Sequence, residues 1–224
     1  MSQKTLFITG ASSGIGAATV AKAVEAGWRV AGFARSADKL DSLAQTHGDS
    51  FLALPGDVTD QDTVEAAVAK CVDSFGGVDA VFANAGLGAQ SAGTQQGDPS
   101  NWRTMLDVNI WGALITAHAT LPALQESKGH FLVTGSRAGR THMKGSIYGA
   151  TKWFIHAWAT NLSLEMAEWG GRCTIIAPGM VDTPFFDSPK PQGLVSEDVA
   201  DAVVWAMAQP AHVNVGEVYL TPNR

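Results

Sequence analysis

TGASSGIG, residues 9–16, links the short apolar run TLFIT (residues 5–9) to the segment IGAATVAKAVEAGW (residues 15–28). Glycines at Gly10, Gly14 and Gly16 let a chain turn sharply out of a strand, bring backbone N–H groups close to a pyrophosphate and seat the next helix near the sheet. The spacing is GxxxGxG, which is neither the GxGxxG dinucleotide fingerprint nor the GxxxxGK[ST] of a P-loop, so a Walker-type NTPase is excluded. The competing reading is a glycine-rich turn with no ligand. Its place directly after the first strand favours the anion-binding one, with the helix N-terminus facing the phosphate.

Working outward, TLFIT, RVAGFA, SFLALPGDV, VDAVFANAG, GHFLVTGS, RCTIIAPG and EVYL alternate with longer segments of helical character. That alternation marks parallel strands joined by crossover helices, and runs apolar on both faces mark a sheet covered on each side. The expectation is an α/β Rossmann fold in one domain over residues 1–224: a doubly wound parallel sheet of about seven strands with helices on both faces. Asp60 opens QDTVEAAVAKCV, DPSNW opens a long segment ending near Glu126, and Ser196 with the acids behind it opens a helix near the C-terminus. Irregular stretches at residues 87–100 and 184–195 follow strand ends, where open α/β sheets hold their ligands.

Composition narrows the function. A net charge of −6 without any basic run argues against a nucleic-acid binder, and 46% hydrophobic residues in 224 allow a substantial core. Cys71 and Cys173 have neither CxxC nor metal-ligand spacing and read as inert core residues; no metal site is expected. MSQKTLFITG has no long apolar stretch and no run approaches the ~18 apolar residues of a membrane span, so a soluble cytoplasmic protein is expected, with no membrane partner. At the end of the second strand, RVAGFARSADKL carries Ala34 and Arg35 where an NAD-binding acid would stand. A forked guanidinium suits a ribose 2′-phosphate, so NADP(H) is preferred over NAD(H).

TGASSGIG, GDV at 56–58, NAG at 84–86, DVN ending at Asn109, TGS ending at Ser136, YGATK at 148–152 and PGMVDT at 178–183 occur together in this order. The combination resembles the classical short-chain dehydrogenase/reductase family over essentially the whole chain, and the C-terminal part resembles its serine and 3-hydroxy acid dehydrogenase branch. The resemblance implies a pyrophosphate turn at Gly10, Ser12, Ser13, Gly14, Ile15 and Gly16, and Asp57 and Val58 beside the adenine. It places Asn84, Ala85 and Gly86 on the adenosine side, and Pro178, Gly179, Val181 and Thr183 around the nicotinamide. Asn109, Ser136, Tyr148 and Lys152 become the catalytic set, Lys152 also bridging the nicotinamide ribose, and Asn109 holding a water beside it. Ser13 stands where many NADP-dependent members carry a basic residue. Two departures stand out: Ser136 and Tyr148 are twelve steps apart, one fewer than the commonest spacing, and the segment after Thr183 is small where many relatives carry a longer substrate lid.

Tyr148 and Lys152 lie at i and i+4, on one face of a helix. A free phenol has a pKa of ~10. The lysine charge, and an oxidised nicotinamide, would lower it and let Tyr148 serve as base in oxidation and acid in reduction. Ser136 would donate a hydrogen bond to the substrate oxygen. TGSRAG is not a GxSxG elbow, and His130 and His142 read as solvated or backbone-satisfied rather than as triad members. Candidate pocket residues are Leu87, Arg137, His142, Met143, Met180, Phe185 and Phe186, with Arg137 or Lys144 available to a carboxylate. The substrate class is an alcohol or carbonyl compound. The surplus of large apolar residues around Trp102 and Trp111, and along KWFIHAWATNLSLEMAEWG, predicts a homodimer or homotetramer. Competing functions are an idle NADP(H) sensor or scaffold, and an epimerase or dehalogenase on the same framework.

Overall fold

The computed structural model describes residues 3–91 and 93–223; Ala92, in the first irregular stretch, lies outside the described residues. Strands β1 (Thr5–Thr9), β2 (Arg29–Ala34), β3 (Phe51–Pro55), β4 (Ala80–Ala83), β5 (His130–Thr134), β6 (Arg172–Pro178) and β7 (Glu217–Leu220) form one sheet. Every neighbouring pair is parallel, in the order β3-β2-β1-β4-β5-β6-β7. The helices are α1 (Gly14–Glu25), α2 (Ala37–His47), α3 (Gln61–Phe75), α4 (Pro99–Leu106), α5 (Gly112–Ser127), α6 (Ile147–Ala167) and α7 (Ser196–Met207). The strand order reverses between β1 and β4, which opens a crevice at the carboxyl ends of the strands.

Side chains of a strand alternate between faces, and the two cores follow that period. Phe7, Phe33, Val81 and Phe131 pack on one face with Val64 of α3, Leu124 of α5 and Ile155 of α6. Leu6, Ile8, Val30, Phe82 and Leu132 pack on the other with Val20 of α1, Leu40 of α2 and Val203 of α7. Phe7, Phe33, Phe82 and Phe131 are fully buried, each worth about 1.5–3 kcal/mol of transfer free energy. Cys71 and Cys173 sit in the first core, where burial pushes each thiol up to about 12, as inert core residues should be.

Asp60 caps α3 through the Thr63 N–H as expected. The last helix opens at Ser196 with Glu197 and Asp198 in its first turn, as expected; Val195 is the cap, and the Asp198 carboxylate accepts from the Val195 N–H at 2.9 Å. The long segment after DPSNW is not one uniform helix, since a π-helical turn, Asp107–Trp111, separates α4 from α5. His130 corrects the expectation of solvation or backbone pairing: it is buried and its Nε2 lies 2.7 Å from Thr174 Oγ1. Burial holds its pKa down at about 3, so it stays a neutral core residue.

Candidate active site

A cleft of about 460 Å³ runs across the carboxyl ends of the strands. Its floor is set by a cross-strand tie. The Asn84 side chain donates to the Thr9 and Gly10 carbonyls at 3.3 and 3.4 Å and accepts from Thr134 Oγ1 at 3.1 Å, joining the ends of β1, β4 and β5.

The glycine turn forms one wall. Gly10 and Gly14 have φ of +68° and +51°, conformations that side chains resist, and a Cβ on Gly14 would lie 3.3 Å from Thr183. Bare backbone at these points lets the turn approach the segment after β6, and Ser12, Ser13 and Ile15 complete the wall. Gly16, the third glycine of the turn, is not among the residues lining the cleft. A Cβ there would collide with the Gly10 carbonyl oxygen, so a bare Gly16 allows α1 to pack against its own turn.

At one end the cleft is lined by Arg35, Asp57 and Val58, and by Lys39, which sequence reasoning missed. Its signal was present: Lys39 stands four residues after Arg35, in the first turn of α2. Both cations are exposed to solvent. Asp57 is steadied by the Thr59 N–H and hydroxyl, each 2.9 Å from Oδ1. Ala85 and Gly86 run along the middle, and Pro178, Gly179, Val181 and Thr183 line the far side.

The other end holds Ser136, Tyr148 and Lys152. Ser146 caps α6 through the Gly149 N–H at 2.9 Å, which starts the helix where Tyr148 enters its first turn and Lys152 follows one turn later. Lys152 is 3% exposed, and its Nζ donates to the Thr134 carbonyl at 2.8 Å and lies 5.9 Å from the Tyr148 ring centre. Burial lowers the lysine to about 8. The expectation of a phenol depressed by the lysine is not met in the protein alone. Burial raises the Tyr148 pKa, and the hydrogen bond from Ser136 opposes it only in part. Two desolvated groups both favour their neutral forms, so the phenol rests protonated at neutral pH.

Asn109 does not open into the cleft either. It lies on the π-helical turn, 2% exposed, with Oδ1 accepting from the Leu87 N–H at 2.9 Å and Nδ2 donating to the Leu87 carbonyl at 3.0 Å and to Thr151 Oγ1 at 3.2 Å. The side chain therefore clamps the strand-end loop to α6. Gly86 is between it and the lysine: a Cβ there would be 3.4 Å from Asn109 Oδ1 and 3.8 Å from Lys152 Nζ.

Of the pocket candidates, Leu87, Phe185 and Phe186 line the cleft, and the Phe185 ring lies 5.6 Å from that of Tyr148. Arg137, His142, Met143, Met180 and Lys144 do not line it. Each is exposed, and His142 turns away to stack on Trp153 at 5.5 Å. Periodicity could not find this, because the orientation of loop side chains is set by the turn that carries them.

The arrangement presents anion-binding backbone, two cations at one end and a proton donor beside a hydroxyl and an ammonium at the other. The chain is similar to known proteins over nearly its whole length. The family model described as short chain dehydrogenase matches residues 4–192. A serine 3-dehydrogenase from Agrobacterium fabrum is 34% identical over 234 residues, covering 97% of this chain and 93% of that protein. The structure of an alcohol dehydrogenase from the archaeon Thermococcus sibiricus complexed with 5-hydroxy-NADP is similar at a TM-score of 0.89 and 32% identity, covering 98% of this chain and 97% of that one. The closed form of a serine dehydrogenase complexed with NADP+ is similar at 0.90 and 28% identity, covering 97% and 94%.

Proposed function

Because the chain belongs to the short-chain dehydrogenase family and is an oxidoreductase acting on CH–OH groups, we propose that it interconverts a secondary alcohol and its ketone with NADP(H) as coenzyme. The observation that carries this reading is the meeting of Ser136, Tyr148 and Lys152 at one end of a cleft whose other end holds Arg35 and Lys39. The residues present suit a dinucleotide: the glycine turn would offer N–H groups to the pyrophosphate, Asp57 and Val58 would flank the adenine, and Val181 and Thr183 would face the nicotinamide.

When bound, the nicotinamide supplies or accepts the hydride. Ser136 donates to the carbonyl oxygen as charge develops there. Tyr148, held protonated by burial, gives its proton to that oxygen in reduction and recovers it in oxidation. Lys152 would hold the nicotinamide ribose hydroxyls, and Asn109 keeps the strand-end loop and α6 in register behind it. Lys152 is the cation at the catalytic end of the cleft among the described residues, so the structure itself carries no dedicated carboxylate anchor. A 3-hydroxy acid enters the reading through the serine dehydrogenase relatives.

Initial rates with NADPH and NADH, against neutral ketones and 3-keto acids, test the proposal. NADPH is expected to be the better coenzyme. In Arg35→Ala the KM for NADPH should rise about 10- to 100-fold, the value of one charge-assisted phosphate contact of ~1.5–3 kcal/mol, with NADH nearly unaffected. Equal losses with both coenzymes would remove the 2′-phosphate role, and tight NADPH binding without turnover of any carbonyl would favour the sensor reading.

Large apolar side chains left exposed on α4 to α6, namely Leu106, Trp111, Trp153, Phe154 and Leu164, support a homo-oligomer. Light scattering should give a mass at least twice 23.4 kDa; a monodisperse monomer would remove that reading.

A further inference from the structure

Beyond Tyr148 and Lys152, the same face of α6 carries a third polar side chain one turn later, His156. Its ring is wedged between two glycines. A Cβ on Gly135 would lie 2.5 Å from His156 Nε2, and one on Gly139 would lie 2.7 Å from Cδ2, so only bare backbone on both sides leaves room for it. In that slot Nε2 faces the backbone N–H of Ser136 at 3.2 Å. The acceptor nitrogen must be unprotonated, which places the ring hydrogen on Nδ1. On that side stands Glu217 of β7, with Oε1 3.9 Å from Nδ1. That oxygen is buried and has no hydrogen-bond partner among the described residues, while its sister Oε2 pairs with Arg140 at 3.3 Å. Arg140 in turn lies over the Tyr219 ring at 5.2 Å.

We propose that His156 is a positioning residue for the hydroxyl of Ser136: its neutral ring accepts the Ser136 N–H, and Glu217, steadied by Arg140, selects the tautomer that can do so. This deepens the oxidoreductase reading and rests on it for the role of Ser136. The Ser136 hydroxyl is itself held from the other side, accepting the Ala138 N–H at 3.0 Å. Two hydrogen bonds therefore fix the residue, one on its backbone and one on its side chain, and only the first depends on a titratable partner. The charged groups around the ring are Glu217 on β7, Arg140 beyond the 137–139 turn and Lys152 one turn back on α6. Burial first, then the Arg140 and Lys152 charges, lowers the imidazole to about 4, which keeps it an acceptor across the neutral range. Protonation would turn Nε2 into a donor facing a donor and release the serine.

The test uses the full chain in three forms: native, His156→Ala and His156→Gln, whose amide oxygen can accept the same N–H without titrating. Ring-nitrogen NMR of the native protein should show a neutral Nδ1–H tautomer that resists protonation until pH falls to about 4. The Ser136 amide should exchange at least about tenfold faster in His156→Ala and return towards native protection in His156→Gln. With NADPH, kcat should fall about tenfold or more in the alanine variant at unchanged coenzyme KM, and recover in the glutamine variant. An Nε2–H tautomer, a ring titrating near its ordinary ~6.5, or a fully active alanine variant would each overturn the proposal. Should the alanine variant not fold, the native tautomer and the glutamine variant decide it. Should the native protein reduce no carbonyl while the ring and exchange results hold, the His156–Ser136 clamp stands and the reaction assigned to the site falls.

Discussion

Tyr148→Phe should lower carbonyl reduction by about 10²- to 10⁴-fold, the range expected when a positioned general acid is removed, while NADPH affinity stays within about twofold. The substitution deletes one oxygen and keeps the ring, so the packing of Tyr148 against Phe185 persists. Ser136 keeps its hydrogen bond from the Ala138 N–H. A large loss in kcat with intact coenzyme binding therefore reports the phenolic hydroxyl, its proton and its contact with Ser136, rather than packing or coenzyme affinity. The pH dependence has a defined sign. Burial raises the phenol, so kcat for reduction at saturating NADPH, which needs the protonated form, should remain flat through neutrality and fall only as pH climbs beyond the ordinary tyrosine value. Oxidation needs the phenolate and should rise with pH over the same range. Residual reduction above about one tenth of native would mean that solvent or another side chain supplies the proton.

How far the sequence reveals this site depends on what kind of signal each residue leaves. Strands buried on both faces leave uninterrupted apolar runs, and TLFIT and RVAGFA coincide with β1 and β2 to the residue; EVYL coincides with β7, the half-buried edge strand. Asp60 was readable because a cap is a local event between near neighbours. Tyr148 and Lys152 were readable because a helix brings i and i+4 together. Long-range geometry left no such trace. Asn109 faces the Leu87 backbone and Thr151, 22 and 42 residues away, and not the cleft. The side chains of Arg137 and Met143 point outward because loop backbone, not periodicity, decides their direction. The phenol is the clearest case. Charge counting predicts depression by the lysine, but burial is a property of the folded whole, and here it outweighs the opposing hydrogen bond from Ser136.

Lys152→Met should separate activity from stability in opposite directions. Turnover should drop on the order of 10²-fold, because the ribose loses its ammonium and the phenolate loses its neighbouring charge. The folded protein, however, should become more resistant to unfolding. Lys152 is 3% exposed and its pKa is lowered from 10.5 to about 8, so the folded state binds its proton less tightly than the unfolded chain does. That cost is fully present below about pH 8 and is relieved as pH rises towards 10.5, where both states lose the proton. A shift of this size corresponds to roughly 3 kcal/mol as an upper bound, reduced by the lost bond to the Thr134 carbonyl, and methionine fills similar space without a charge. Urea unfolding at neutral pH should therefore show a raised midpoint for the methionine variant, with the difference shrinking at alkaline pH. The kinetics give an independent reading of the same group. In the native enzyme kcat/KM for NADPH should fall as pH passes about 8 and the free lysine discharges, and that limb should be missing in the variant. A variant both inactive and less stable would make Lys152 a structural residue, its ammonium needed by the Thr134 carbonyl more than by the coenzyme.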